Sequence, residues 1–294
     1  MIWQAGRFRV DLARPQVMGI VNLTPDSFSD GDPQLTPAHA IATCERLLRE
    51  GADLLDLGGE SSRPGSEPVS VDVELARLLP VLRAAAELGC PVSVDTAKPE
   101  VMRAALDLGA DVVNDIGALG APGALRVVAA HSSCGVCLMH MRGNPRTMTA
   151  EARYDDVVTE VAAFLRDRVS MVQAAGIGTD RIVVDAGIGF AKTPAHNLEL
   201  LQRQRELLGV GRPLLVGWSR KSTLVELAGL VGTPRDERSA TQIATLDAAS
   251  AAAALLAVQR GASIVRVHNV AATVAALAVL RAASAGADNR PAPT

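Results

Sequence analysis

Aromatic side chains are scarce in this sequence. Its 294 residues include two Trp, one Tyr and four Phe, so a core of this length must be built from Leu, Val, Ile and Ala, and the position of each ring carries information. An excess of charge is lacking too: 29 basic against 32 acidic side chains leave a formal net charge of −3. That excludes the clustered Lys/Arg footprint of a nucleic-acid-binding domain. Four cysteines, Cys44, Cys90, Cys134 and Cys137, are too few for a secreted disulfide framework and fit a reducing compartment. The N-terminal residues lack the basic-then-apolar run of a signal peptide. Ala-rich stretches such as 248–258 fall short of the roughly 18 apolar residues of a membrane span. The sequence reads as a cytoplasmic protein with neither nucleic acid nor membrane as a partner.

One cluster suggests a metal. His131, Cys134, Cys137 and His140 combine the ligand types of a structural zinc site. The apolar stretch around them reads as a strand, however, and positions three apart on a strand face opposite ways. Buried thiols are the better reading.

What the sequence has in abundance is alternation. Short apolar runs at 17–22, 53–57, 92–95, 111–114, 135–140, 181–185, 214–217 and 263–268 read as strands buried on both faces. Helical patterns at 37–50, 73–88, 99–108 and 155–175 each stop at a glycine. Further helices are expected over 236–260 and 270–283. This order implies α/β architecture: a single (β/α)8 TIM barrel over 17–283, a short N-terminal β-hairpin in 1–16 capping its bottom, and a flexible polar tail over 284–294. A doubly wound open sheet is the alternative. The strand ends favour the barrel, because nearly all finish in a polar residue or a Gly-rich turn: Asn22, Glu60, Asp95, Asn114, His140, Asp185, Lys221 and His268. Any one of these, Asp95 for example, is readily explained as a helix N-cap. Eight together point to the C-terminal face of a barrel, where active sites lie.

The loops narrow the chemistry. The turn at 185–193 (DAGIGFAKT) lacks the third glycine of a dinucleotide fingerprint, and no P-loop occurs anywhere. It offers a carboxylate, a flexible backbone and one ring, suited to gripping a flat, donor-bearing heterocycle. The turn at 217–222 sets Arg220 and Lys221 at a helix start, where cations are unfavourable, so an anion or an electron-rich ring belongs nearby. Arg266 and His268 lie two apart on the last strand and face the same side. With Asn22 and Arg63 they are placed to surround a phosphate or diphosphate with donors.

Taken as a set, the segments 21–31 (VNLTPDSFSDG), 58–65 (GGESSRPG), 93–96 (SVDT), 114–116 (NDI), 138–141 (LMHM), 185–190 (DAGIGF), 219–222 (SRKS) and 266–268 (RVH) resemble the dihydropteroate synthase family, in order and at every strand end. The resemblance implies condensation of 6-hydroxymethyl-7,8-dihydropterin diphosphate with para-aminobenzoate, releasing pyrophosphate, on a (β/α)8 barrel that is typically a homodimer, uses Mg²⁺ and is a sulfonamide target. It implies that Asp95, Asn114, Met139, Asp185, Gly217 and Lys221 hold the pterin. It assigns the diphosphate to Asn22, Arg63, Arg266 and His268, with Asn22 also the metal contact. It assigns para-aminobenzoate to Phe28, Ser62, Pro64, Phe190, Lys221 and Ser222. Asn22, Arg63, Asp95, Lys221, Arg266 and His268 are the expected catalytic set. Departures from the family pattern fall at Asn269, Ala186, Trp218 and Ser62, of which Asn269 bears on charge support behind His268. Two other readings compete: a pterin-binding paralogue without synthase activity, which would tolerate damage to the first two loops, and a folate-dependent methyltransferase domain, which would not need the 61–64 or 219–222 segments.

Overall fold

The computed structural model describes residues 1–24 and 36–285. Among these, strands β1 (Ile2–Ala5) and β2 (Phe8–Asp11) form an antiparallel hairpin. Eight further strands follow: β3 (Gln16–Asn22), β4 (Leu54–Gly58), β5 (Val92–Asp95), β6 (Val112–Asp115), β7 (Gly135–Met139), β8 (Ile182–Asp185), β9 (Leu214–Val216) and β10 (Ile264–Val267). They close in the order β10-β3-β4-β5-β6-β7-β8-β9, each parallel to its neighbours. The barrel expected from the alternation is the fold, and an open sheet is excluded by closure of β10 onto both β3 and β9.

Helices return the chain between strands: α1 (Pro37–Arg49), α2 (Val71–Ala85), α3 (Pro99–Asp107), α4 (Ala124–Ala130), α5 (Val157–Ala174), α6 (Pro194–Gln202), α7 (Gln204–Leu207), α8 (Ser222–Leu227), α9 (Ala240–Gln259) and α10 (Val270–Ala285). Caps set several boundaries. Ser70 accepts from Val73 N–H and starts α2 before the expected position. A reciprocal Ser239–Gln242 capping box starts α9 at 240, not 236, because Arg235–Glu237 is a separate 3₁₀ turn. Helix α9 is also more apolar than the sequence reading allowed: by length and composition alone it could cross a membrane. Here it packs against α8, α10 and β10 as one element of the barrel wall. Residues 25–35, and the expected tail from 286 onward, lie outside the described residues.

The barrel interior changes character halfway up. At the bottom Met18, Leu54, Val112, Cys137, Val183, Leu215 and Ile264 form an apolar layer, closed from below by Trp3 and Ala5 of the hairpin. Trp3 is fully buried, its indole N–H donating to Arg181 O at 3.0 Å. Room for it depends on Gly135, where a Cβ would lie 3.0 Å from the Trp3 ring. Two residues further along each strand, on the same inward face, stand Ile20, Asp56, Asn114, Met139, Asp185, Gly217 and Arg266. The period of two that builds the lower layer from apolar residues thus delivers a mostly polar one above it. Replacing Trp3 with Ala empties the floor plug and is expected to cost about 3–5 kcal/mol of stability, read as a lower denaturation midpoint.

Candidate active site

Backbone register places the first candidates in a row. Asn22 pairs with Gly58, Gly58 with Asp95, and Asp95 with Asn114, across four consecutive strands. Beneath this row Arg266 reaches across from β10. Its Nε donates to Asp56 Oδ2 at 2.5 Å and its Nη2 to Asp95 Oδ2 at 2.9 Å. Asn114 Nδ2 donates to the same Asp56 oxygen at 3.2 Å. Asp56 is fully buried, and its Oδ1 has no hydrogen-bond partner among the described residues. Arg266, expected to face a diphosphate, is thus first a partner of two carboxylates. Asp56 was missed in the sequence, although a lone carboxylate inside the apolar run 54–58 was a signal that could have found it.

These contacts set the charges. Burial pushes the Asp95 carboxyl up to about 7, with the Asp56 and Asp115 charges adding to it and the Arg266 guanidinium opposing. Burial works against the Arg266 cation, but Asp56 and Asp95 together outweigh it and hold its pKa above the ordinary value. Lys221 is drawn down to about 8 by burial and by Arg266, with Asp185 and Asp95 opposing. Asp185 is raised by burial despite a 2.8 Å hydrogen bond from Gly187 N–H.

On the other side of the mouth, Met139 and Phe190 cluster with Met148 and Ala191, with Ile116 and Met141 packed against them. The Lys221 ammonium sits 4.0 Å from the centroid of the Phe190 ring, a cation–π contact. The loop holding Phe190 is tied to the start of α8 through Asn197, which accepts from Gly189 N–H and donates to Thr223. Ser62 shares a cavity of about 270 Å³ with Asp95, Thr96 and Ile116. Pro64 is exposed in the same non-helical loop, and Ser222 opens α8.

The remaining donors come from adjoining strands. His268 follows β10, Asn22 ends β3 and Arg63 follows β4, and these three strands are neighbours in the barrel. Ser219 Oγ accepts from His268 N–H at 3.1 Å and lies 2.9 Å from Nδ1. Where this hydroxyl donates to Nδ1, the proton of the neutral ring stands on Nε2 and can be donated elsewhere. Burial and the nearby Arg220, Arg235 and Arg266 charges hold this imidazole well below its ordinary pKa, so it is neutral. Arg63 lies close enough to Lys221 to depress it.

Of the remaining expectations, those on Arg220, Asn269 and Asp95 are corrected. Phe28 lies outside the described residues. Trp218, a departure from the family pattern beside the 219–222 segment, is buried in the outer core between strands and helices. Arg220 turns away to pair with Asp247 on α9 at 2.7 Å. Asn269 donates to that same Asp247 and caps α10, while His268 is held by Ser219, so charge support behind His268 does not pass through position 269. Asp95 does not cap a helix: α3 begins after Lys98 without a side-chain cap. Glu60 is structural, pairing with Lys98 at 2.8 Å. The His131–Cys134–Cys137–His140 quartet is dispersed. Cys134 packs in the outer core, Cys137 in the barrel floor and His140 against Lys192.

Fold and mouth define an α/β-barrel enzyme whose interior acids and amide stand beside a lysine–phenylalanine platform. Comparison with known proteins gives the particular kind. Residues 18–268 match the family described as Pterin binding enzyme. The chain is 48% identical to the dihydropteroate synthase of Neisseria meningitidis serogroup C, over 94% of this chain and 95% of that protein. Its fold superposes with a TM-score of 0.86 on Burkholderia cenocepacia dihydropteroate synthase complexed with 7,8-dihydropteroate (47% identity, 98% of each chain). It superposes at 0.88 on the Yersinia pestis enzyme in a sulfonamide drug complex (41% identity, 97% and 100% covered). The chain belongs to the pterin-binding enzymes and, within them, to the dihydropteroate synthases, which makes it a transferase.

Two pH limits follow from the charges. On the expectation that Asp95 acts ionised and Lys221 protonated, kcat/KM for the pterin diphosphate should fall below about pH 7 and above about pH 8, as apparent values of a coupled set. Asp56→Asn removes a charge that raises Asp95, so the acid limb should move to lower pH.

Proposed function

We propose that the mouth joins para-aminobenzoate to the methylene carbon of 6-hydroxymethyl-7,8-dihydropterin diphosphate, giving 7,8-dihydropteroate and pyrophosphate. The observation that carries this reading is the Arg266–Asp56–Asp95–Asn114 array beside the Lys221–Phe190 contact. A donor-and-acceptor surface inside the barrel adjoins a cation-backed ring at its rim. Carboxylate oxygens of Asp95 and Asp185 and the Asn114 amide accept from and donate to the pyrimidinone edge, with Met139 and Gly217 against the ring faces. The 7,8-dihydropteroate complex of the Burkholderia cenocepacia enzyme supports it, since that product contains both halves.

The reaction needs little proton transfer. The bond between the methylene carbon and the diphosphate oxygen breaks, and its electron pair leaves on the diphosphate. The amine nitrogen then forms the new bond to carbon and gives up one proton. The difficulty lies in stabilising the departing charge and in keeping water from the cationic carbon. Arg63 supplies donors to the leaving group, and so does the neutral His268 in the tautomer whose Nδ1 accepts from Ser219. Arg266, bridged to two acids, supplies fixed positive charge without moving. Ser62, Pro64, Phe190 and Ser222 shape the aryl-amine subsite, which a sulfonamide would contest.

Mg²⁺ fits this site. The Asn22 amide oxygen is a hard ligand at a strand end, and among the described residues no cluster of three His, Cys, Asp or Glu offers a protein cage. Mg²⁺ is commonly held by one or two protein oxygens together with phosphates and water. When bound it would neutralise developing charge on the leaving group. A homodimer is supported by α9, whose outward face carries exposed Ala244, Ala248, Ala252 and Leu256. A cytoplasmic site of action is supported by four buried, unbridged cysteines.

Pyrophosphate release from the pterin diphosphate, followed with and without para-aminobenzoate, tests the reading. It should require Mg²⁺ and stop on chelation. Pterin binding without turnover would instead support a paralogue lacking synthase activity. Arg63→Ala should lower kcat by about 10²-fold or more. Ala248→Glu should shift the sedimentation coefficient from dimer to monomer.

A further inference from the structure

Two residues past Phe190 the chain buries a lysine for which the chemistry above has no task. Lys192 is 8% exposed. Its Nζ lies 2.9 Å from His140 Nδ1, 2.9 Å from Phe190 O and 3.4 Å from His140 O. An ammonium has three N–H donors, and three acceptors surround it. No carboxylate forms an ion pair with it among the described residues.

The segment it grips is held from both sides. Tyr154 Oη donates to Ala191 O at 2.9 Å, so consecutive carbonyls, at 190 and 191, are fixed by the buried Lys192 and the half-buried Tyr154. Between them Ala191 adopts φ +51°, which costs a non-glycine residue about 1–2 kcal/mol and persists only where its surroundings enforce it. At the other end of the turn Gly187 lies so close to the end of β7 that a Cβ would sit 2.0 Å from His140 O. His140 in turn stands edge-on to Phe164, with ring centroids 4.9 Å apart.

We infer that Lys192, with His140 as its acceptor, is a positioning residue for the transferase reaction: it pins the 187–191 turn so that Phe190 presents its ring to Lys221 and to the aryl amine. This rests on the reading that Phe190 lines the aryl-amine subsite. The pin requires an unprotonated Nδ1 on His140, with the proton on Nε2. Burial and the Lys192 and Arg142 charges press the His140 pKa down to about 2, consistent with a neutral ring.

The pin also titrates. Burial draws Lys192 down to about 7, with Asp185 opposing and Arg142 and Lys221 adding to the fall. Among the other groups facing it, Tyr154 is pushed up to about 12 by burial, and Glu160 pairs with Arg142. Neither changes charge near neutrality. Losing a proton leaves Lys192 two N–H groups for three acceptors, so the turn loosens as pH rises through about 7.

Steady-state kinetics of Lys192→Met beside Phe190→Ala tests this. Lys192→Met should raise KM for para-aminobenzoate about tenfold, keep KM for the pterin diphosphate within about twofold, and remove the inflection near pH 7 from the aryl-amine KM. Equal rises in both constants, or an unchanged aryl-amine KM while Phe190→Ala raises it, would overturn the inference. If Phe190→Ala itself leaves that constant unchanged, the subsite reading fails instead. A second measurement needs no lysine variant: ¹⁵N-histidine spectra of the wild-type protein, with His140 assigned through His140→Gln. The His140 Nδ1 resonance should be that of an unprotonated nitrogen and should move with a midpoint near pH 7. A protonated Nδ1, or a resonance that does not move, would overturn the pin.

Discussion

A charge held inside the barrel is the constraint on which the rest of the site depends. Arg266 stands among seven other strands and must be compensated there, because an unpaired guanidinium at that depth is prohibitively costly. Asp56 and Asp95 supply the compensation. Once they do, their own protonation, the depressed Lys221 and the orientation of Asn114 follow from the same few contacts. A buried ion network of this kind is a poor source of stability compared with apolar packing of the same volume. Its presence above an otherwise apolar floor marks the level at which the barrel stops being a core and becomes a binding surface.

Much of this was legible in the sequence because two periodicities carry it. Eight apolar runs with polar ends specified the barrel, and glycine stops bounded most of the early helices. Strand ends named Asp95, Asn114 and Asp185 as inward groups, since the buried residue two positions earlier, Ser93, Val112 or Val183, lies on the same face. What was not legible came from across the barrel. Asp56 sits inside a run that reads as plain core, and its meaning depends on Arg266, far away in sequence. Arg220 and Lys221 are adjacent and chemically alike, yet a φ of +57° at Arg220 sends it outward to Asp247 while its neighbour enters the mouth. Trp218 is similar: next to the site in sequence, it belongs to the outer core.

The departures from the family pattern fall where the structure can absorb them. Asn269 keeps a hydrogen bond to Asp247 and caps the last helix. Ala186 is buried in the outer core, in a turn where Gly187 N–H donates to Asp185. The scarcity of aromatic rings also acquires a physical account. Trp3 closes the barrel floor, Phe190 forms the platform at the rim, and Tyr154 and Phe164 surround His140 behind it. Trp218 is given to the outer core, while these four rings stand where a flat, rigid surface is needed.

The strand that carries Arg266 is also the one that seals the barrel, and the two acids it meets lie 210 and 171 residues earlier in the chain. As a growing polypeptide emerges from its N-terminus, Asp56 and Asp95 are therefore made long before their counter-charge. An unsealed barrel would hold two carboxylates facing one another with nothing between them, a repulsion that keeps the incomplete interior open to water. Docking of β10 supplies ladder bonds on both edges and cancels that repulsion in the same event. Arg266 thus doubles as the keystone of assembly, and without the last strand the sheet is not closed.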